Sequence, residues 1–235
     1  MKVKEFVWQL LFPGRCPVCH GIVVPFGEKI CTGCLPRLRL LTPPWCMQCG
    51  KKLRTEGEFC RDCMEKRHKY IRGRALYEYE SVVGSVYRMK YGGRREYAEF
   101  FGGEMAYYLG DFIRKCKPDA LIPVPLHPKR KNRRGYNQAE LLAKALGRSV
   151  DIPVRTDLVC RIKNTTPLKY QNPSERQNNL KKAFNIAQND VKLNTIIIVD
   201  DIYTTGSTID EMTEVLMQHG VKKVYYVALA CGAGV

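Results

Sequence analysis

The sequence predicts an α/β fold with a mainly parallel sheet flanked by helices, preceded by a small cysteine-rich domain. After about residue 70, short β-branched strands alternate with amphipathic helices, an order typical of βαβ units. Before that point, eight of the 11 cysteines stand in four Cys-x-x-Cys pairs. We therefore expect two domains, one over residues 1–70 and one over residues 71–235.

The four cysteine pairs are evenly spaced, with 11, 11 and 10 residues between successive pairs. Each Cys-x-x-Cys pair in a tight turn is called a knuckle here. Two knuckles can together form a tetrahedral thiolate site, so four knuckles predict a double zinc ribbon. Disulfides need an oxidising compartment and a redox Cys-x-x-Cys is usually single, so zinc is the preferred interpretation. The predicted zinc ligands are Cys16, Cys19, Cys31, Cys34, Cys46, Cys49, Cys60 and Cys63.

The sequence leaves the grouping of these thiols open. We expect neighbouring pairs to share an ion, the first two pairs on one and the last two on the other, and an interleaved cross-brace is the alternative. Both zinc ions would be structural, because four thiolates complete each site and leave His20 and His68 as bystanders. So short a segment buries little core, and zinc would supply folding free energy.

The chain is strongly basic, with a formal net charge of +16. Residues 1–70 carry 13 Lys/Arg and 6 Asp/Glu, and residues 120–182 carry 14 and 4. This balance suits a polyanionic partner, although a solvated basic surface would have the same composition. No apolar run approaches the roughly 20 residues of a membrane span, and the N-terminal apolar stretch is interpreted as a short docking helix.

Hydrophobic periodicity places the remaining elements. The helix that starts at Asn137 has a capping residue there, Glu140 at capping-box spacing, and Gly147 as its expected end. The polar segment 161–182 has the length of a lid or binding loop. We expect strands at 74–80, 120–124, 158–161, 184–186 and 224–230, and helices at 82–90, 96–115 and 137–146.

The segment 195–208, TIIIVDDIYTTGST, is the most informative stretch. Its β-branched run predicts a buried parallel strand over 196–199, and two aspartates follow where that strand should end. A hydroxyl-rich turn then opens a helix over 208–219, with Thr208 and Glu211 at capping-box spacing. A helix N-terminus binds phosphate, and paired carboxylates suit a diol or a magnesium ion.

A cluster of five cations between the strand at 120–124 and the helix at 137 forms a second candidate site. It follows the carboxyl end of a strand, where open α/β sheets bind ligands. Pyrophosphate or a nucleic-acid backbone would match this charge, and a solvated basic loop is the alternative. The candidate residues of this loop are Arg130, Lys131, Arg133, Arg134, Gly135, Tyr136 and Asn137.

The 195–208 segment resembles the phosphoribosyl pyrophosphate (PRPP) motif of type I phosphoribosyltransferases. The resemblance implies that Asp200 and Asp201 hold the ribose hydroxyls, directly or through magnesium, and that the segment 133–137 approaches pyrophosphate more loosely. It also implies a cradle for the 5-phosphate made by Thr204, Thr205, Gly206, Ser207 and Thr208. Phosphoribosyl transfer depends mostly on positioning and charge stabilisation, so the motif does not separate an enzyme from a PRPP-binding protein.

The order of motifs along the whole chain resembles the ComF family of bacterial competence proteins. Four zinc knuckles precede PVPLHPKRKNRRGYNQA, then RQNNLKKAF, then the PRPP motif. The resemblance implies a type I phosphoribosyltransferase-like fold, a cytoplasmic location, and single-stranded DNA binding in natural transformation beside a helicase-like partner. The alternative is an active phosphoribosyltransferase that transfers phosphoribose from PRPP to an unidentified acceptor.

Overall fold

A computed structural model describes residues 13–53, 55–162, 183–187 and 192–232. The predicted N-terminal docking helix and most of the polar segment 161–182 lie outside the described residues. In the part of the chain that is described, no helix combines the length and apolar character needed to cross a bilayer.

The described residues form six strands, namely β1 (Arg72–Glu78), β2 (Ala120–Pro123), β3 (Val159–Arg161), β4 (Phe184–Ile186), β5 (Thr195–Tyr203) and β6 (Lys223–Cys231). Four of them run parallel and form the central sheet, in the order β1-β6-β5-β2. The other two, β3 and β4, form a separate antiparallel pair.

Helices cover both faces of the central sheet. The helices of the described chain are α1 (Arg61–Glu65), α2 (Tyr79–Tyr91), α3 (Tyr97–Cys116), α4 (Pro128–Arg134), α5 (Gln138–Val150) and α6 (Ser207–Gln218), with a 3-10 helix at Thr32–Arg37. Along β5, Ile197 and Val199 pack under α2, α3 and α5, while Ile196 and Ile198 pack under α6. This alternation is the period of two that a strand imposes on its side chains.

The cysteine-rich segment packs onto both faces of the same sheet. Cys16 and Cys34 belong to the core under α2 and α3, and Cys46 and Cys49 belong to the core under α6. The chain between them passes the outer edge of β1, where the Leu41 N–H donates to the Leu76 carbonyl at 2.8 Å. This contact covers a strand edge that would otherwise offer unpaired backbone groups.

The helix α5 extends beyond its predicted end. Gly147 lies inside the helix, which ends at Asp151 in a left-handed conformation with φ of 56°. A Cβ on Gly147 would lie 2.6 Å from the Val154 side chain and 2.8 Å from the Ile152 carbonyl oxygen. The predicted end was wrong, because this glycine permits the close approach of the following segment and does not terminate the helix.

The strand β5 is also longer than predicted. It continues through the two aspartates to Tyr203, because β6 supplies a pairing partner along the whole length, with Asp200 opposite Ala228 and Ile202 opposite Ala230. The aspartates therefore project from a paired strand and not from a turn. The five cations predicted to lie in a loop belong to the short helix α4. This helix begins at Pro128, a residue type favoured in the first turn of a helix.

Candidate functional site

The structure gathers the eight knuckle thiols into two tetrads. In each tetrad, the sulfur atoms all lie within 4.8 Å of one another. The Cys49–Cys60 and Cys19–Cys31 sulfur distances are 3.5 and 4.0 Å, near the ~3.8 Å that tetrahedral zinc–thiolate geometry gives. The first tetrad is Cys16, Cys19, Cys31 and Cys34, and the second is Cys46, Cys49, Cys60 and Cys63. The grouping is consecutive, and four thiols in each group fit a structural zinc ion.

Both tetrads are fixed to the α/β core by hydrogen bonds. In the first knuckle, the Ser85 hydroxyl of α2 donates to the Pro17 carbonyl at 2.6 Å. In the third knuckle, which belongs to the second tetrad, the buried Tyr226 hydroxyl of β6 donates to the Cys49 carbonyl. The zinc ribbon is therefore part of the same packed body as the sheet.

The carboxylate pair lies toward the carboxyl end of β5. The Asp201 N–H donates to Asp200 Oδ1 at 2.8 Å, which fixes the two side chains relative to each other. Lys90, in the last turn of α2, places its Nζ 2.7 Å from Asp201 Oδ2. Asp201 is buried, so this cation is its main source of charge compensation.

The two aspartates have opposite tendencies to ionise. Burial and the neighbouring Asp201 carboxylate raise the pKa of Asp200 well above its usual range. Burial also opposes ionisation of Asp201, but Lys90 and hydrogen bonds with Asp200 and Gln138 hold the pKa of Asp201 below its usual range. The pair therefore favours one carboxylate, on Asp201, and an added divalent cation would favour the second.

The hydroxyl-rich turn follows β5 and leads into α6. Thr204 and Thr205 are exposed, Ser207 and Thr208 are half-buried, and the Thr205 and Ser207 hydroxyl oxygens lie 2.9 Å apart. Gly206 precedes the helix as its cap and supplies no side chain to the first amide groups of α6. Those N–H groups lack intrahelical partners and carry the positive end of the helix dipole, which suits phosphate.

Gly206 is required by its surroundings. Its φ is 76°, and a Cβ there would lie 2.7 Å from the Tyr203 hydroxyl oxygen and 2.8 Å from His68 Cε1. His68 is buried and belongs to the chain that leaves the second tetrad. Although His68 is no zinc ligand in this structure, it lies against the predicted phosphate cradle, a contact that sequence reasoning missed.

A buried carboxylate in the first turn of α6 connects these two parts. Asp210 Oδ2 lies 2.9 Å from both His68 Nδ1 and Lys66 Nζ, and the Lys69 N–H donates to Asp210 Oδ1 at 2.9 Å. Burial opposes ionisation of Asp210, but these three partners hold the pKa of Asp210 below its usual range. The segment 66–69 is thereby attached to the start of α6.

The predicted capping box at the start of α6 was wrong. No side chain caps this helix. Glu211 instead accepts a hydrogen bond from the Ala183 N–H, at the beginning of the segment that forms β4. The Glu211 carboxylate therefore bonds to a segment distant in sequence and not to the start of its own helix.

The predicted basic loop divides into two kinds of residue. Tyr136 donates from its hydroxyl to the Met89 carbonyl at 2.6 Å, and Asn137 Nδ2 donates to the Val124 carbonyl at 2.8 Å. Asn137 also caps α5, as predicted. These polar atoms serve the fold, and Gly135 ends α4 in a left-handed conformation. The four predicted cations, Arg130, Lys131, Arg133 and Arg134, all lie on α4.

Two guanidinium groups on different elements interact electrostatically with the carboxylate pair. Burial lowers the pKa of Arg134, and Asp201 favours its charged form. Burial likewise lowers the pKa of Arg161, at the end of β3, and Asp200 favours its charge. Lys90, Gln138 and Arg161 were not predicted as site residues. No local pattern marks them, because their position depends on the packing of distant segments.

Comparison with known proteins agrees with this architecture. The double zinc ribbon domain matches residues 7–64, and the phosphoribosyl transferase domain matches residues 132–233. A solved hypoxanthine-guanine phosphoribosyltransferase from Bacillus anthracis is 17% identical, with 58% of this chain and 70% of that chain covered at a TM-score of 0.38. At that score, the structural likeness adds nothing to the assignment.

Full-length relatives are more informative. Competence protein F of Haemophilus influenzae is 31% identical over 93% of this chain and 97% of its own length. Competence protein ComFC of Bacillus subtilis is 28% identical over 92% of this chain and 85% of its length. DNA utilization protein YhgH of Escherichia coli K12 is 28% identical over 92% of this chain and 96% of its own length. With two tetrads followed by a phosphoribosyltransferase-like sheet, this chain belongs to the ComF family of competence proteins.

Proposed function

We propose that this chain binds PRPP together with magnesium at the carboxyl edge of the sheet. One observation carries the proposal. The carboxylates of Asp200 and Asp201 lie on β5 just before the uncapped start of α6. Lys90 contacts Asp201, and Arg134 and Arg161 interact electrostatically with the pair. A ligand with a diol, a 5-phosphate and a pyrophosphate has matching groups for these three features.

Each part of the site has a distinct role in this proposal. Asp200 and Asp201 accept hydrogen bonds from the ribose hydroxyls or hold magnesium, which supplies the positive charge that both carboxylates need to ionise together. The turn 204–208 and the first amides of α6 hold the 5-phosphate. Arg134 and Lys90 face the pyrophosphate and compensate its charge.

We further propose that the basic surface around α4 binds single-stranded DNA during natural transformation. Its cations Lys131 and Arg133 are exposed, and the relatives are named for competence and DNA utilization. A cytoplasmic location and a helicase-like partner belong to the same proposal. Binding of this kind is dominated by phosphate contacts and weakens as salt rises.

The experiment that tests both parts is calorimetric titration of the zinc-loaded chain with PRPP and magnesium, with and without an oligothymidylate. We expect saturable binding of PRPP that requires magnesium, and salt-sensitive binding of the oligonucleotide. PRPP that gives no heat at any magnesium concentration would remove the first part. An oligonucleotide that fails to bind at low salt would remove the second.

A further inference from the structure

The outer face of α2 carries an aromatic stripe. Val83, Tyr87 and Tyr91 recur at a spacing of four residues, so they lie along one side of the helix. Their exposed fractions are 43%, 63% and 58%. The opposite side of α2 is buried, and its core residues are Val82, Val86 and Met89. The packing of α2 against the core therefore does not depend on these three exposed side chains.

The two tyrosines of the stripe form a pair. Their ring centroids lie 5.1 Å apart, with the ring planes tilted by 49°. The Arg134 guanidinium carbon lies 5.4 Å from the Tyr91 ring centroid. The stripe thus ends beside Arg134 of α4, where the aromatic rings are next to a cation.

Further contacts join the stripe and the basic helix into one surface. The Tyr136 hydroxyl, just after α4, donates to the Met89 carbonyl of α2. Arg95, in the turn after α2, places its guanidinium carbon 5.8 Å from the Tyr136 ring centroid. The sequence from 87 to 95 contains Arg88, Lys90, Arg94 and Arg95 and no acidic residue, and the exposed Glu96 that follows pairs with Arg94 at 3.4 Å.

A second exposed tyrosine pair on α3 shows that exposure alone is not the distinguishing feature. Tyr107 and Tyr108 are 80% and 47% exposed, with ring centroids 4.8 Å apart. Their surroundings are acidic, since Glu104 is close to Tyr108 and raises its pKa together with burial, which is the larger cause. The stripe on α2 differs because guanidinium groups flank its rings.

This combination has one best occupant. Protein-docking faces are also enriched in tyrosine and arginine, but this stripe adjoins an unbalanced positive charge, because α4 carries five cations and residues 87–95 contain no acidic residue. Single-stranded nucleic acid needs both components, aromatic faces for its bases and cations for its phosphates. Double-stranded nucleic acid would keep its bases stacked internally and gain nothing from the rings.

We propose that the outer face of α2 is a base-stacking platform, on which Tyr87 and Tyr91 receive bases while Arg134, Arg94 and Arg95 hold the adjoining phosphates. The inference rests on the proposed binding of single strands and adds the surface and the mode of contact. Stacking of this kind tolerates any base sequence. The platform ends one residue beyond Lys90, which contacts Asp201, so a bound strand lies beside the carboxylate pair.

The test compares three double variants by fluorescence anisotropy with a labelled oligothymidylate and with an abasic oligonucleotide of equal length. Tyr87→Ala plus Tyr91→Ala removes the rings, and Tyr87→Phe plus Tyr91→Phe keeps them. Tyr107→Ala plus Tyr108→Ala is the matched control on α3. The alanine pair should lower oligothymidylate affinity about 5- to 150-fold per base lost from stacking. The phenylalanine pair and the control should match the wild type, and abasic binding should not change.

Thermal melting verifies that each variant is folded, and the single alanine variants replace the double variant if its melting temperature falls. If Tyr87→Ala plus Tyr91→Ala bound the oligothymidylate with wild-type affinity, the stacking platform would be ruled out, while the proposed DNA binding would stand. An equal loss for oligothymidylate and the abasic strand would also overturn it, because the face would then contact phosphates and not bases. A wild-type chain that binds neither strand would contradict the proposed DNA binding itself.

Discussion

Lys90 Nζ lies 2.7 Å from Asp201 Oδ2, so the last turn of α2 contacts the strand that carries the carboxylate pair. The contact places a lysine beside the ligand site and holds Asp201 in its ionised form. It also connects two surfaces that are proposed to bind different ligands. A ligand bound at Asp201 would therefore lie close to Lys90. Tyr91 is the next residue in the sequence, and its side chain is exposed on the outer face of α2.

Replacing Gly206 with alanine tests how tightly the cradle is packed. Gly93→Ala is the matched control, since Gly93 also has a positive φ, of 68°, but has nothing within 4 Å of a new Cβ. Both changes should cost about 1–2 kcal/mol for the left-handed conformation. Gly206→Ala should cost more, because its Cβ meets Tyr203 and His68, and it should weaken PRPP binding. Urea unfolding and calorimetry measure these effects, and equal losses of stability would contradict the close packing.

Zinc content tests the two tetrads. We expect two zinc ions per chain by elemental analysis, in agreement with the two groups of four thiols. Cys60→Ser should retain one ion and melt at a lower temperature, because structural zinc contributes folding free energy. Cys160→Ser, outside both tetrads, is the control and should retain two. A Cys60→Ser chain that still holds two ions would show that the ligand set is wrong.

The Asp210 contacts predict a particular pH dependence of stability. Because the folded-state pKa of Asp210 lies below its ordinary value, its stabilising contribution is present above about pH 4 and is lost as the pH falls through the folded pKa. Asp210→Asn should therefore reduce the free energy of unfolding by about 1.5–3 kcal/mol at neutral pH. The difference from the wild type should stay constant from pH 8 to pH 5 in urea unfolding. A difference that disappears between pH 8 and pH 6 would show that another group is responsible.

The cations of α4 should determine the salt dependence of DNA binding. Alanine at Arg130, Lys131, Arg133 and Arg134 should weaken oligothymidylate binding and flatten the plot of log affinity against log salt by about 0.7 per lost phosphate contact. The matched control removes four exposed lysines near the opposite end of the sheet, Lys115, Lys117, Lys222 and Lys223. The control should keep the wild-type slope. Equal slopes for the two variants would mean that net charge, and not α4, drives binding.

Patterns within a short stretch of sequence predicted much of this molecule. The cysteine spacing gave the double zinc ribbon, and the 195–208 segment gave a buried parallel strand leading into a helix. Asn137 capped its helix as predicted. Each of these features depends on neighbours in sequence or on a fixed repeat, which is why spacing alone revealed them.

Features that depend on tertiary packing were missed or misplaced. Gly147 looks like a helix terminator in sequence, yet its role is to admit Val154. Glu211 has capping-box spacing, yet it bonds to the Ala183 N–H. Lys90 contacts Asp201 only because the fold brings α2 to β5, and Arg161 of β3 interacts electrostatically with Asp200 from a distant part of the sequence. In each case, a distant partner decides the outcome.

We propose that the carboxylate pair binds PRPP through magnesium, and a calorimetric comparison of two proteins tests this binding at the carboxylates themselves. PRPP is titrated, with and without magnesium, into the wild-type chain and into Asp200→Asn plus Asp201→Asn. The asparagine pair keeps the size of both side chains but removes the negative charge that magnesium needs. We expect magnesium-dependent binding to the wild type and at least ~10-fold weaker binding to the variant. Equal affinity of the two proteins for PRPP in magnesium would contradict it.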